Sequence, residues 1–176
     1  MHYKRLCALF ILSFLFLVFR LFAPHCVLEP ITGFLLLATC SCSRRELGIF
    51  AASQIFLFDF LTFGVGLWTL AVMCAFCIIA CVLFYVREHL KIPAFLFGAT
   101  IIATLTFDIL TGLIFGPLFF DQSFMQALAG QVPFTCMHLL GNGVIILGYI
   151  AGERVWAMRK LLKTNQKGEV RYEPSN

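Results

Sequence analysis

Asp59, Asp108 and His138 are ionisable side chains set inside long apolar runs, and Arg20 and Glu29 stand at the margins of two others. In hydrocarbon such groups are costly, so each must pair with another group, hold a ligand or relay a proton. The densest polar cluster surrounds His138. Gln131 and Pro133 suit a helix start, and Thr135, His138 and Asn142 follow at i, i+3 and i+7 along a single helical stripe. A polar stripe in lipid must face protein or ligand. Asp and His side by side can serve as base and acid, yet no nucleophile elbow, phosphate-cradling glycine loop or metal-ligand spacing completes a reaction centre. Recognition without catalysis is therefore expected, with neither cofactor nor metal.

A second pattern joins two of these residues. Phe58-Asp59-Phe60-Leu61-Thr62 and Phe107-Asp108-Ile109-Leu110-Thr111 are both F-D-x-L-T segments, forty-nine residues apart. In each, a Thr one turn after the Asp can hydrogen-bond a polar ligand or a partner helix. The cysteines lack such order. Cys74 and Cys77 form a CxxC inside an apolar helix with no second pair, and thiols there read as small buried apolar groups rather than zinc or redox ligands.

The elements that must position these residues follow from composition. Of 176 residues, 61% are apolar and only 12% charged, with 21 Phe; the mean hydropathy is +0.94. A sizeable aqueous domain is excluded, and lipid is the expected solvent. Apolar stretches bounded by charge, Pro or Gly place six membrane-spanning helices at about 6–22, 29–42, 47–63, 67–86, 93–116 and 132–152. The second and third are short for about 30 Å of hydrocarbon, so they must tilt, break or shelter among the rest. An all-α, polytopic fold with both termini cytoplasmic results.

Charge supports that topology. Lys4 and Arg5 precede the first span, Arg44 and Arg45 separate the second and third, and Arg87 and Lys91 separate the fourth and fifth. Six more follow the sixth, so that only Arg20 of the 13 Lys and Arg falls on the other side. Clustering between spans also excludes a nucleic-acid surface, which needs a continuous basic face. A cleaved leader at residues 6–19 is not expected, since Arg20 interrupts the cleavage region and no A-x-A pattern follows. Residues 153–176 form a basic cytoplasmic tail. It begins as an interfacial helix anchored by Trp156 and is disordered beyond about Lys163. Free thiols in the spans suit a bacterial inner membrane.

With this topology the polar groups share a level. At about 1.5 Å per residue, Asp59 and Asp108 lie about 20 Å from the inner surface and His138 roughly 9 Å from the outer one. Glu29 heads the second span from outside, and Arg20 approaches the outer end of the first, where either is a candidate charge partner. A proton relay would need polar groups through the full thickness, and the inner halves carry mainly Leu, Ile, Phe and Cys. The expectation is a pocket open to the outside, formed by Asp59, Asp108, Thr111, Gln131, Thr135, His138 and Asn142, that takes a small molecule. Pairs at four-residue spacing, Ala71/Ala75, Ala99/Ala103 and Gly112/Gly116, are natural helix contacts.

The six-span plan, the Phe107-Asp108-Ile109-Leu110-Thr111-Gly112 segment, the loop through Ala127-Leu128-Ala129-Gly130-Gln131 and the run from Pro133-Phe134 to His138-Leu139-Leu140-Gly141-Asn142 together resemble a known family. They are similar to the small six-helix membrane proteins grouped with the substrate-capture (S) components of energy-coupling factor transporters, over roughly residues 30–152. The resemblance implies capture of a vitamin or similar scarce nutrient near the outer face. It further implies toppling of the subunit when a transmembrane coupling subunit and a pair of ATPases act on it. One feature departs: many such components carry an A-x-x-x-A surface on the first span, where this chain has Ala8 followed by Leu12. The competing expectation is a membrane scaffold of cell-envelope assembly, in which the same polar groups only lock helices together.

Overall fold

A computed structural model describes residues 30–62 and 64–169, with side chains through Leu161, together with scattered positions between Cys7 and Phe22, all of them helical. Arg20 and Glu29, the two candidate charge partners, lie outside the described residues, as do eight of the 17 positions of the first expected span. The described chain is all-α. Six α-helices run in order: α1 (Ile31–Thr39), α2 (Arg44–Leu61), α3 (Leu67–Tyr85), α4 (Pro93–Asp108), α5 (Gly116–Phe120) and α6 (Phe124–Glu169). A short 3-10 turn (His89–Lys91) precedes α4, and a π-helical stretch (Ile109–Phe115) joins α4 to α5.

Among the described residues, three helical stretches are long and apolar enough to cross a membrane: Leu67–Tyr85, Pro93–Phe120 and Phe124–Leu161. Length removes α1 from that group, since nine residues reach only about 14 Å. Charge removes α2, which carries Arg44, Arg45, Glu46 and Asp59 within 18 residues. The apolar faces of the long helices are open. Ile78, Val82, Leu140 and Val144 are each at least 59% exposed, a surface that water would not tolerate as a continuous band and that lipid would cover.

Local chemistry fixes the helix ends. Ser43 caps α2 through a reciprocal pair: Glu46 N–H donates to Ser43 Oγ (3.4 Å), and Ser43 N–H donates to Glu46 Oε2 (2.7 Å). At its other end Gly64, in left-handed backbone at φ 85°, donates to the Asp59 carbonyl (2.7 Å), a conformation open to glycine at little cost. Pro93 opens α4 in the first turn, where its missing N–H is no loss. Asp121, at φ 50°, turns the chain after α5.

The last helix differs from the sequence expectation of a start near 132. It begins at Phe124 because Ser123 and Gln126 form a second capping pair, with Gln126 N–H donating to Ser123 Oγ (3.3 Å) and Ser123 N–H to Gln126 Oε1 (2.9 Å). Pro133 consequently lies inside the helix rather than at its start. An interior Pro forfeits one backbone bond, which membrane helices tolerate where neighbours supply partners. The helical backbone also runs to Glu169, past Lys163; this stretch contains no Pro, and its first Gly after Gly152 is Gly168.

The chain divides into two compact units, Met1–Ile146 and Leu147–Asn176. In the first, α2 and α3 run antiparallel. Arg44 at the start of α2 lies 5.8 Å from the Tyr85 ring at the end of α3, and Thr69 Oγ1 at the start of α3 donates to Asp59 Oδ2 (2.6 Å) near the end of α2. Trp68 meets Phe119 and Phe120 edge-on at 6.0 and 5.0 Å, so α3 is likewise antiparallel to the stretch from α4 to α5. Phe50, Phe76, Leu35, Leu36 and Leu47 fill the core between them. Beyond α3, Arg87 sits over the Phe84 ring (4.6 Å), and a hydrogen bond from Lys91 holds the exposed Glu88 carboxyl below its ordinary range. In the second unit Lys160 Nζ lies 5.6 Å over the Trp156 ring.

Helices α1 and α6 approach closely at Gly33, where an added Cβ would sit 3.3 Å from the Asn142 carbonyl oxygen, Asn142 Oδ1 and Ile145 Cβ. Gly33→Val is therefore expected to destabilise the fold by about 1–3 kcal/mol through overpacking. Thermal unfolding in detergent checks this, and an unchanged midpoint would refute the close α1–α6 contact.

Candidate functional site

The seam between α6 and α4 with its π-helical extension is a ladder of polar contacts, in which Asn142 and His138 are one helical turn apart and Gln131 is two turns from His138. Thr104, Asp108 and Gly112 follow each other at four-residue spacing on one strand of the seam. Opposite them stand Asn142, His138 and Gln131, the descending order showing that the helices are antiparallel.

The first rung is structural in geometry. Asn142 is fully buried; its Nδ2 donates to Thr104 Oγ1 (3.0 Å), and its Oδ1 accepts from the Gly33 backbone N–H (2.7 Å). One amide thus ties α1, α4 and α6 together, which the absence of a side chain at Gly33 permits.

The second rung is the buried pair. His138 Nδ1 lies 2.7 Å from Asp108 Oδ1, with side-chain exposures of 3% and 2%. An ionised carboxylate only accepts, which places the bonding proton on Nδ1. The imidazole rests against Phe134, ring centroids 4.1 Å apart, with Phe107 at 6.4 Å. These aromatic walls hold the ring in place. Asp108 Oδ2 is also buried, and it finds no hydrogen-bond partner among the described residues. A buried unsatisfied oxygen costs about 1–3 kcal/mol, more when charged, so this atom is the anomaly of the seam.

The third rung joins Gln131 to Gly112. The Gln131 side chain occupies the space a Cβ at position 112 would need, its Oε1 only 1.7 Å from that point, while its Nε2 donates to Thr135 Oγ1 (3.2 Å). Asp108, Gln131 and Thr135 line one groove of about 220 Å³, whose remaining walls are apolar, Leu105, Leu128 and Val132 among them. The π-helical stretch begins at the residue after Asp108. Wider turns of this kind recur at functional positions because they displace carbonyls from the regular ladder.

Of the residues singled out from sequence, the structure brings Asp108, Gln131 and Thr135 to one groove and bonds His138 to the first of them. Asn142 is one turn beyond His138 and fully engaged between helices. Thr111 is buried and donates its hydroxyl to the Phe107 carbonyl (2.9 Å), as Thr62 does to Phe58 (2.6 Å). The two F-D-x-L-T segments therefore share a local device, and it points back along each helix rather than outwards. Their acids differ. Asp59 takes a hydrogen bond from Thr69, which also accepts from the Gly66 N–H (3.1 Å), and it is not a wall of the groove beside Asp108. Thr69, Thr104 and Gly33 were not singled out from sequence. Thr104 was accessible as a polar residue one turn before Asp108; Gly33 and Thr69 carry no local signal.

Among the described residues no three His, Cys, Asp or Glu converge as metal ligands. The described cysteines are free, Cys74 and Cys77 included. No family model, curated protein or solved structure matches the chain. The sequence resemblance to transporter S components thus rests on its quoted residues alone.

The buried pair makes a strong energetic statement. His138→Leu strands the Asp108 carboxylate and is expected to cost about 3–5 kcal/mol, whereas the double change Asp108→Leu/His138→Leu costs less than that single one. A double-mutant cycle on unfolding in detergent measures both, and additive losses would deny the pair.

Proposed function

We propose that this protein is a membrane-embedded, non-catalytic binding subunit that captures a small molecule at the α4–α6 seam. In the fuller reading it works as an S component does, taking a nutrient such as a vitamin from the outer face of a bacterial inner membrane. Six spans place both termini in the cytoplasm, and a transmembrane coupling subunit with an ATPase pair drives uptake. The observation that carries the reading is the buried Asp108 Oδ2 without a partner among the described residues, on a residue that lines a groove shared with Gln131 and Thr135. Natural proteins seldom leave such an atom unsatisfied unless a ligand, water or ion completes it. Its surroundings are right for selectivity, since a few polar groups in an apolar wall fix the orientation of a small ligand. The 13 Lys and Arg, all but one segregated to one side of the six expected spans, support the orientation.

A second reading, a scaffold of envelope assembly, draws on Asn142 and Asp59. Both are consumed by contacts between helices, Asn142 with Gly33 and Thr104, and Asp59 with Thr69. On that reading Asp108 and His138 are one more lock. The two differ in what leaves the membrane with the protein.

Native mass spectrometry of the gently extracted full chain is expected to show a retained small molecule, lost in Asp108→Asn, and coupling and ATPase subunits in the mildest extractions. Envelope proteins in their place, with no small molecule retained by a folded chain, would favour the scaffold.

A further inference from the structure

We propose that the groove between α3 and α4 seats an anionic phospholipid, with one acyl chain laid along the groove and the phosphate held at a basic mouth formed by Arg44 and Arg87. This groove is separate from the α4–α6 seam, and its role does not depend on the binding-subunit reading.

Two matching stripes build the groove. Ile78, Val82 and Val86 at the α3 side and Ala94, Gly98 and Ile102 on α4 recur at four-residue spacing, so each set follows one side of its helix. All six line one cavity of about 420 Å³. Small residues lower its floor: Ala99 and Ala103, a pair whose spacing marks a helix contact, line it beside Gly98. Its edges are open to the surface, with Ile78, Val82 and Ile102 each at least 59% exposed. Of the described wall residues only Thr106 has a polar side chain, so the body of the occupant must be hydrocarbon. The groove runs from Val86 to Ile78 along α3 and from Ala94 to Leu110 along α4, about 12 and 24 Å. Half the hydrocarbon thickness is about 15 Å, so an acyl chain entering at the Val86 end reaches the middle of the bilayer within it. The volume is that of about fourteen liquid water molecules, and a methylene group is close to water in size.

Charge at the mouth selects the headgroup. Val86 follows the last turn of α3, and that turn is flanked by two guanidinium groups, Arg44 at 5.8 Å from the Tyr85 ring and Arg87 at 4.6 Å from the Phe84 ring. The turn between α1 and α2 comes to the same end of the unit, since Cys40 is within electrostatic reach of Lys91 and Glu88. Four exposed cations, Arg44, Arg45, Arg87 and Lys91, therefore stand there against two carboxylates, Glu46 and Glu88. Glu88 is divided between Arg87 (3.6 Å) and Lys91, and Glu46 is engaged in the Ser43 cap. Positive charge is thus in excess among the described residues at the point where the apolar groove opens. Basic residues beside membrane helices attract acidic headgroups, and a guanidinium can meet two phosphate oxygens at once. A helix from a second copy or from a partner would fill the hydrocarbon walls equally well, but it would leave the basic mouth unanswered.

The test places the full chain in nanodiscs of equimolar phosphatidylglycerol and phosphatidylcholine with matched acyl chains, and native mass spectrometry counts the lipids retained on release. Phosphatidylglycerol is expected to exceed phosphatidylcholine by about ten-fold. The double change Arg44→Gln/Arg87→Gln should bring that ratio close to one. Gly98→Phe puts a ring into the groove at a position where an added Cβ meets nothing within 4 Å; it should reduce retention of both lipids to background and leave the thermal midpoint near that of the unaltered chain. If that variant fails to fold, phosphatidylglycerol spin-labelled on its acyl chain tests the same contact on the unaltered protein, by broadening the Gly98 amide NMR signal more than labelled phosphatidylcholine does. Equal retention or equal broadening by the two lipids overturns the proposal, as does a preference that survives Gly98→Phe or the loss of both arginines. A dimer or a bound partner subunit that is lost in Gly98→Phe, with lipid retention unchanged, also overturns it and gives the groove to a protein helix.

Discussion

A carboxylate inside an apolar helix bundle is the constraint on which the rest of this structure turns. Asp108 lies at the end of a helix whose neighbours are Leu, Ile and Phe, and its charge is tolerable only if every direction around it supplies compensation. His138 supplies one direction, and the aromatic rings of Phe134 and Phe107 keep that imidazole in place. The rungs on either side are spent on alignment. Asn142 draws α1 to α4 and α6, and Gln131 packs into the notch left by Gly112, so the helices that carry the pair are held in register. The uncompensated oxygen of Asp108 is thus a local departure within a seam whose other described polar contacts are made.

That contrast separates two uses of polarity in a membrane. Asp59 and Asp108 occupy matching positions in near-identical segments, and the following Thr does the same local work in each. Yet Asp59 is answered by Thr69, which in turn is answered by the backbone of Gly66, a closed circuit at a helix junction. Asp108 is half answered. Near-identical sequence neighbourhoods have been put to different ends by what the next helix brings alongside.

Much of the fold was legible because membrane helices announce themselves by length and composition. The span expected at 67–86 appears as Leu67–Tyr85, and the one at 93 begins at Pro93. The misplacements have physical causes. Pro133 carried the start signal for the last helix, but the Ser123–Gln126 pair, a short polar motif outside the apolar run, set the true start. The π-helical turn after Asp108 leaves no mark in hydropathy. At the site, the stripe of Thr135, His138 and Asn142 was readable from 3.6-residue periodicity, and Asp108 from its setting in an apolar run. Which acid His138 would meet was not, because that depends on helix adjacency; nor was the role of Gly33, whose contribution is an absence of atoms opposite a residue more than a hundred positions away.

The most direct test of the central claim is a density map of the full chain in lipid nanodiscs, prepared from gently extracted protein without added small molecules. The expected result is density for a small molecule in the groove between α4 and α6, with an atom at hydrogen-bonding distance from Asp108 Oδ2. An Oδ2 bonded instead to a residue of the chain itself, with the groove closed around it, would contradict the account.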